Sequence, residues 1–247
     1  KIDGLKPDWF GKVDPLTEAP DGNALPTDMQ VIGAVQRASN KETVVMCAAG
    51  TMPGELHKLW KASKPGSYHM EYGFSCMGYE IAGAMGIKMA QPDRDVVCMI
   101  GDGSYMMANS ELATAAMLGI DMTVVITDNR GYGCINRLQM GTGGAEFNNL
   151  LDHSHHVTPS NIDFAAHAAS MGAAAVHVSS IAELEEALSR AKSAKGPFVV
   201  VIDTDPYPST PDGGHWWDVA VPEVSERAEV RAKRAEYEKQ IKARALN

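Results

Sequence analysis

The chain holds 247 residues, enough for one substantial buried core, and its 22 Lys and Arg against 31 Asp and Glu leave a formal net charge of −9. That balance, without a long basic run, argues against nucleic acid or an anionic membrane as partner. No apolar run reaches the roughly 18 residues of a membrane span, and no secretory leader is visible.

Residues 1–26 are rich in Pro, Gly and Asp without a clear period. They read as a linker packed on a surface, or a remnant of an upstream domain, and a first residue of Lys1 rather than Met fits a cropped or processed start. Thr27-Asp28-Met29-Gln30 has the form of a capping box that opens a helix to about Ala38. Residues 43–47 predict a buried strand, Ala48-Ala49-Gly50-Thr51 the turn at its end, and residues 53–61 a short helix. Residues 77–89 alternate small and large apolar side chains with Gly78, Gly83 and Gly86, which predicts a tightly packed helix despite the propensity cost of each glycine. The apolar run 96–100 ends in a glycine turn, residues 109–118 read as a helix stopped by Gly119, and a second apolar run over 122–127 ends at Asp128-Asn129. Beyond it come a helix opened by Ser160 and Asp163 and closed at Gly172, and a strand over 174–178. A helix opened by Ser180 and Glu183 then stops at Gly196-Pro197, before a strongly apolar strand over 198–203. Pro206, Pro208 and Pro211 break the pattern, and residues 222–245 predict a charged, solvated helix.

The alternation of strands and helices predicts an α/β fold, a doubly wound, mostly parallel sheet flanked by helices. The ligand-binding domain is expected over residues 27–208, with residues 209–247 as an arm and surface helix. The four cysteines, Cys47, Cys76, Cys98 and Cys134, form no Cys-x-x-Cys pair. Zinc or iron–sulfur ligation is therefore not expected, and most of them read as buried thiols suited to a reducing cytoplasm.

The most informative motif is Gly101-Asp102-Gly103-Ser104, with 25 residues between Gly103 and Asn129-Arg130-Gly131. Each half follows an apolar run with a helix between them, so a right-handed crossover would bring Asp102 and Asn129 to one carboxyl edge of a sheet, where α/β folds bind ligands. The residue types suit a metal-dependent diphosphate cradle. Mg²⁺ takes octahedral oxygen ligands at roughly 2.0–2.1 Å and shares its shell between one or two side chains, water and phosphates. Asp102 would supply a charged oxygen, Asn129 a neutral one and a carbonyl near Gly131 a third. Gly101 and Gly103 would let the main chain approach the phosphates with unusual dihedrals, and Ser104 offers a hydroxyl and an N–H.

The span from Gly101 to Asn129 resembles the signature of thiamine-diphosphate enzymes. The intervening Glu111-Leu112-Ala113-Thr114-Ala115 and the following Gly131-Tyr132-Gly133 fit the acetolactate synthase group. The resemblance implies thiamine diphosphate and Mg²⁺ as cofactors, with Asp102, Asn129 and the Gly131 carbonyl on the metal. Gly50, Thr51, Gly101, Gly103, Ser104 and Gly131 then approach the diphosphate. Ala49-Gly50-Thr51-Met52 stands at the family's first strand-end loop, and Tyr72-Gly73-Phe74-Ser75-Cys76-Met77-Gly78 resembles its glycine-rich approach to the central helix. In that family the residue matching Met77 wedges beneath the cofactor.

Within the superfamily, residues 52–60, 70–80 and 131–135 resemble the trihydroxycyclohexane-dione hydrolases of inositol catabolism, as does the tail from Trp216 to Ser225. That likeness implies hydrolysis of a small cyclic 1,2-dione to 5-deoxy-glucuronate by a cytoplasmic homodimer or tetramer. Acetolactate synthases carry Gly-Leu-Pro-Ala-Ala where Gly78-Tyr79-Glu80-Ile81-Ala82 stands here, and Gln-His where Thr51-Met52 stands. An acetolactate-synthase-like or decarboxylase subunit, and a non-catalytic cofactor-binding or dimerisation module, are the alternatives. The glutamate that activates the cofactor in this family lies on a related pyrimidine-binding domain. All identifiable motifs here belong to the diphosphate half, so that glutamate is expected on another part of the polypeptide or on a neighbouring chain, and no catalytic residue is assigned here. His69 and Glu71 read either as substrate-facing or as satisfied loop residues. His153, His155 and His156 read as proton donors, a metal site or, in the absence of partners at ligand spacing, a polar lid. Trp216 and Trp217 would cover the site or pack on the surface.

Overall fold

The computed structural model describes residues 2–20, 22, 24–71, 73–211 and 219–244. Six strands, β1 (Val44–Cys47), β2 (Tyr68–Met70), β3 (Val96–Gly101), β4 (Thr123–Asp128), β5 (Ala174–Val178) and β6 (Phe198–Asp203), form one sheet in the order β2-β1-β3-β4-β6-β5. Every pairing is parallel. The helices are α1 (Ile2–Val13), α2 (Asp28–Ala38), α3 (Thr51–Leu59), α4 (Tyr79–Ala90), α5 (Asp102–Tyr105), α6 (Glu111–Met117), α7 (Gly133–Gly141), α8 (Phe164–Ser170), α9 (Ile181–Ala191) and α10 (Ala228–Arg244).

The central strands β1, β3, β4 and β6 are buried on both faces, which is why they read as continuous apolar runs. Val97 and Met99 point to a layer formed by α2, α3 and α9, and Val96, Cys98 and Ile100 to one formed by α4, α5, α6 and α8. After β1 the chain turns to the first layer, and after β3 to the second. The carboxyl ends of β1 and β3 therefore lie on either side of a topological switch point, where the departing loops leave a crevice.

Local signals account for the helix starts. The Thr27 hydroxyl accepts the Gln30 N–H at 3.3 Å while Gln30 Oε1 accepts the Thr27 N–H at 2.9 Å, completing the capping box. Ser180 caps α9 by accepting the Glu183 N–H. At α8 it is Asp163 that caps, accepting the Ala166 N–H, and Ser160 lies outside the helix. Edge strand β2 and helix α7 are absent from the elements predicted above, each being too short to show a clear period, while α5 forms the helical turn that the reading of Ser104 allowed.

The first residues depart from the aperiodic linker expected of them. They form α1 and a 3-10 turn over Asp14–Thr17, and they do pack on the surface: Trp9 and Phe10 cover the first layer, Val13 is buried, and Trp9 Nε1 donates to the Lys58 carbonyl at 2.9 Å. At the other end α10 buries only Val230 among its described residues and carries Lys233–Glu236 and Arg234–Glu238 ion pairs, as a solvated helix does. Trp216 and Trp217 lie outside the described residues.

The 3-10 turn sits directly on α2. A Cβ at Gly33 would overlap the Thr17 carbonyl, so Gly33→Ala should destabilise the chain by about 1–3 kcal/mol although it improves helix propensity. Urea unfolding checks this: an unchanged midpoint would mean that the N-terminal segment is not held against α2.

Candidate active site at the carboxyl edge of the sheet

Parallel register assembles the site. Gly101 at the end of β3 pairs with Thr127 of β4, and Asp128 pairs with Asp203 of β6. Asp102 and Asn129 each follow these rungs, so residues far apart in sequence meet at one edge. Together with the loops after β1 and before α4 they surround a cavity of about 370 Å³. The residues expected to hold a metal, Asp102, Asn129 and Gly131, and those expected at the cofactor, Gly50, Thr51, Met77, Gly101, Gly103 and Ser104, all line it.

Two oxygens define its chemistry. Asp102 is buried, and its Oδ2 accepts the Gly131 N–H at 2.8 Å while its Oδ1 has no hydrogen-bond partner. Asn129 is equally buried, and its Oδ1 is likewise unpartnered. Buried polar atoms are ordinarily satisfied, and a hard cation satisfies two oxygens at once. Burial first, and the neighbouring Asp128 charge second, push the Asp102 carboxyl up from 3.8 to about 7. The residues present therefore fit a divalent cation. The donor set is oxygen-only; among the described residues no group of three His, Cys, Asp or Glu side chains is placed to hold a metal.

The glycines act differently from the expectation above. Neither Gly101 nor Gly103 has a left-handed backbone. Gly103 is needed for space, because a Cβ there would strike the Tyr132 ring at 2.6 Å. The special dihedrals belong to Gly50, with φ +82°, and to Gly131, with φ +146°. Gly131 is clamped by the segment behind it: Tyr132 N–H donates to the Asn149 carbonyl at 2.7 Å and Leu151 N–H to the Arg130 carbonyl at 2.9 Å. Ser104 also departs in part. Its hydroxyl donates to Glu80 Oε1 at 2.7 Å and accepts the Gly78 N–H at 3.0 Å, which leaves its N–H rather than its hydroxyl proton for a ligand.

The cavity has a wall that sequence did not predict. Helix α7 contributes Gly133, Cys134, Ile135 and Leu138, and α3 faces it with Thr51, Met52 and Pro53. Arg137 of α7 donates to Thr51 Oγ1 and to the Pro206 carbonyl, tying the two sides together. The spacing of Ile135 and Leu138 was the only helical signal available, within nine residues bounded by glycines. Burial raises the Cys134 thiol above its ordinary range.

Other candidates lie elsewhere. His69 and Glu71 line a second cavity of about 310 Å³ beside β2. Glu71 accepts the Phe74 and Cys76 N–H groups at 3.0 and 2.6 Å, so it shapes the loop leading to Met77. Those bonds hold its carboxyl below the usual range. His155 and His156 are exposed, and His153 Nδ1 stands 3.4 Å from Glu146 Oε1; none of the three is among the residues lining the main cavity.

Comparison with known proteins bears on this edge of the sheet. The sequence profile of the family described as thiamine pyrophosphate enzyme, C-terminal TPP binding domain, matches residues 48–202. The chain is 43% identical over 214 residues to a 3D-(3,5/4)-trihydroxycyclohexane-1,2-dione hydrolase of Bacillus anthracis and 42% identical over 214 residues to one of Bacillus cereus (strain AH820). Each alignment covers 83% of this chain and 33% of the relative, so the chain spans about a third of the length of the curated relatives it matches. A thiamine diphosphate-dependent 4-hydroxybenzoylformate decarboxylase of Rhodococcus jostii RHA1 superposes with a TM-score of 0.68 at 22% identity, covering 78% of this chain and 35% of that one, a likeness of fold.

Gly131 offers a direct test of the site's construction. A Cβ there would overlap the Asn149 carbonyl, at a φ that L residues rarely adopt. Gly131→Ala should lower the thermal midpoint by several degrees, roughly the effect of 1–3 kcal/mol of strain. It should also speed amide exchange at Tyr132 and Leu151. Unchanged exchange at both would show that the clamp is not built as described.

Proposed function

This chain belongs to the thiamine pyrophosphate enzyme family as its C-terminal TPP-binding domain, and from that premise we propose that it anchors the diphosphate in a Mg²⁺-dependent hydrolase of a cyclic 1,2-dione. The substrate we propose is trihydroxycyclohexane-1,2-dione, opened to 5-deoxy-glucuronate in cytoplasmic myo-inositol catabolism. The observation that carries the cofactor half of this reading is the pair of unpartnered, buried oxygens on Asp102 and Asn129. The substrate half is supported by relatives 43% identical that bear this activity in their names, against 22% for the decarboxylase that shares the fold.

In this reading Asp102 holds the metal with charge, and Asn129 and the Gly131 carbonyl hold it without adding more. Gly50, Thr51, Gly101, Gly103 and the Ser104 N–H bound the diphosphate, while Met77 supports the remainder of the cofactor from below. Met52, Ile135 and Leu138 give the cavity apolar walls, beside which polar interactions are stronger than in open water. Thiamine diphosphate, when bound, supplies the nucleophilic carbanion and electron sink needed to cleave a bond between two carbonyl carbons. The activating glutamate is assigned to a pyrimidine-binding domain in the remainder of the polypeptide or in a neighbouring copy, which makes a homodimer or tetramer the expected working form.

Assay of the complete protein with the cyclic dione, thiamine diphosphate and Mg²⁺ tests the reading. Asp102→Ala should weaken Mg²⁺-dependent cofactor binding by about 100-fold or more. Undiminished binding in that variant would rule out the assigned metal site, and turnover of 2-oxoacids in place of the dione would favour the decarboxylase alternative.

The raised Asp102 carboxyl adds a pH dependence. Without metal, the folded chain retains this proton between about 4 and 7, where the unfolded chain has released it. Asp102's contribution to stability therefore falls as pH rises through that interval. The proton competes with the cation, so Mg²⁺ affinity should drop about tenfold per pH unit below about 7. Isothermal titration across pH 5.5–8 (about the span of interest) checks the slope; a flat profile would remove Asp102 from the coordination shell.

A further inference from the structure

Glu80, the second residue of α4, is fully buried although it carries a carboxyl group. A group of this kind is costly to bury unless donors satisfy it. Three donors do so, each from a different stretch of chain bordering the cavity. Oε1 accepts the Ser104 hydroxyl at 2.7 Å and the Ala49 N–H at 3.2 Å, and Oε2 accepts the Gly78 N–H at 2.9 Å. The Gly78 N–H also donates to Ser104 Oγ at 3.0 Å, closing a ring between Glu80, Gly78 and Ser104. The start of a helix is the favourable place for a negative charge.

These three donors belong to the loop after β1, the start of α5 after β3 and the loop before α4. The first carries Gly50, the second Gly103 and the third Met77, all of them on the main cavity. The loops diverge at the switch point, and Glu80 is the side chain bonded to all three. We propose that Glu80 is the positioning residue of the cofactor cradle, setting the spacing between the loop that approaches the diphosphate, the loop that follows the metal-binding strand and the residue that supports the rings. The proposal rests on the cofactor reading above. Glu80 touches neither cofactor nor substrate in it; it acts through Ala49, Gly78 and Ser104.

The chemistry calls for a carboxylate. Glutamine has the same shape, but its amide would turn two N–H donors toward one side of a site whose surroundings are themselves donors. Glu80→Gln must therefore leave at least one of these contacts donor-against-donor.

Equilibrium titration of the complete protein with thiamine diphosphate at saturating Mg²⁺ separates positioning from simple fold support, because it reads both affinity and the number of sites. In Glu80→Gln the Kd should rise about tenfold at unchanged stoichiometry. Glu80→Asp, which keeps the charge but withdraws it by one methylene, should weaken binding in the same direction. Lost sites with an unchanged Kd would make Glu80 a folding residue and overturn the proposal, as would failure of both variants to fold. A Kd within about twofold of the parent in Glu80→Gln would overturn it while leaving the cofactor reading intact. If the parent protein takes up no cofactor with Mg²⁺, the cofactor reading and this proposal fall together.

Discussion

A carboxyl group buried at the end of a parallel strand, with one oxygen held and the other left open, is the constraint around which this structure is arranged. Asp102 cannot relax toward solvent, because β3 is locked on both sides in the sheet and its Oδ2 is fixed by the Gly131 N–H. Asp102 and Asn129 line the same cavity, and each has an oxygen without a hydrogen-bond partner. The rest of the edge maintains this condition. The register of β3 and β4 brings the two oxygens together, and the 149–151 segment braces the Gly131 peptide from behind.

The sheet order explains why the cavity exists at all. Loops leaving β1 and β3 diverge toward opposite layers, and the gap between them is bridged at its base by Glu80 and its three donors. At its sides, α3 and α7 face each other and are joined through Arg137. The two solutions differ in character. At the base a buried charge is held by peptide and hydroxyl dipoles, which are rigid; at the sides a long guanidinium bridges helices that bear apolar side chains.

Much of this was legible in the residues themselves. The strands over 174–178 and 198–203 and the start of α9 at Ser180 fall where apolar runs and capping signals put them. Asp102 and Asn129 also meet at the sheet edge where the crossover rule puts them, and Met77, placed there by resemblance, lines the same cavity. Other features were hidden. Helix α7 carries a short apolar spacing between glycines, indistinguishable locally from a loop. Helix α1 has Pro7 and Gly4 in its span, and its order comes from Trp9, Phe10 and Val13 packing on a layer built by later residues. Ser104 advertises an anion-binding hydroxyl until Glu80, 24 residues earlier, is seen to accept its hydrogen bond.

What the sequence determined on its own is therefore what contiguous residues encode: the period of each element, its caps, and oxygen ligands at a spacing that a strand–helix–strand unit converts into proximity. What only the tertiary structure decided is which polar groups are left unpaired and which are already spent. One oxygen of Asp102 and the amide oxygen of Asn129 are left without partners, whereas the Ser104 hydroxyl is already engaged. Burial and hydrogen-bond satisfaction are properties of the assembled sheet edge. They depend on partners brought together from β1, α4 and the Gly131 loop, and no local pattern in the chain carries that information.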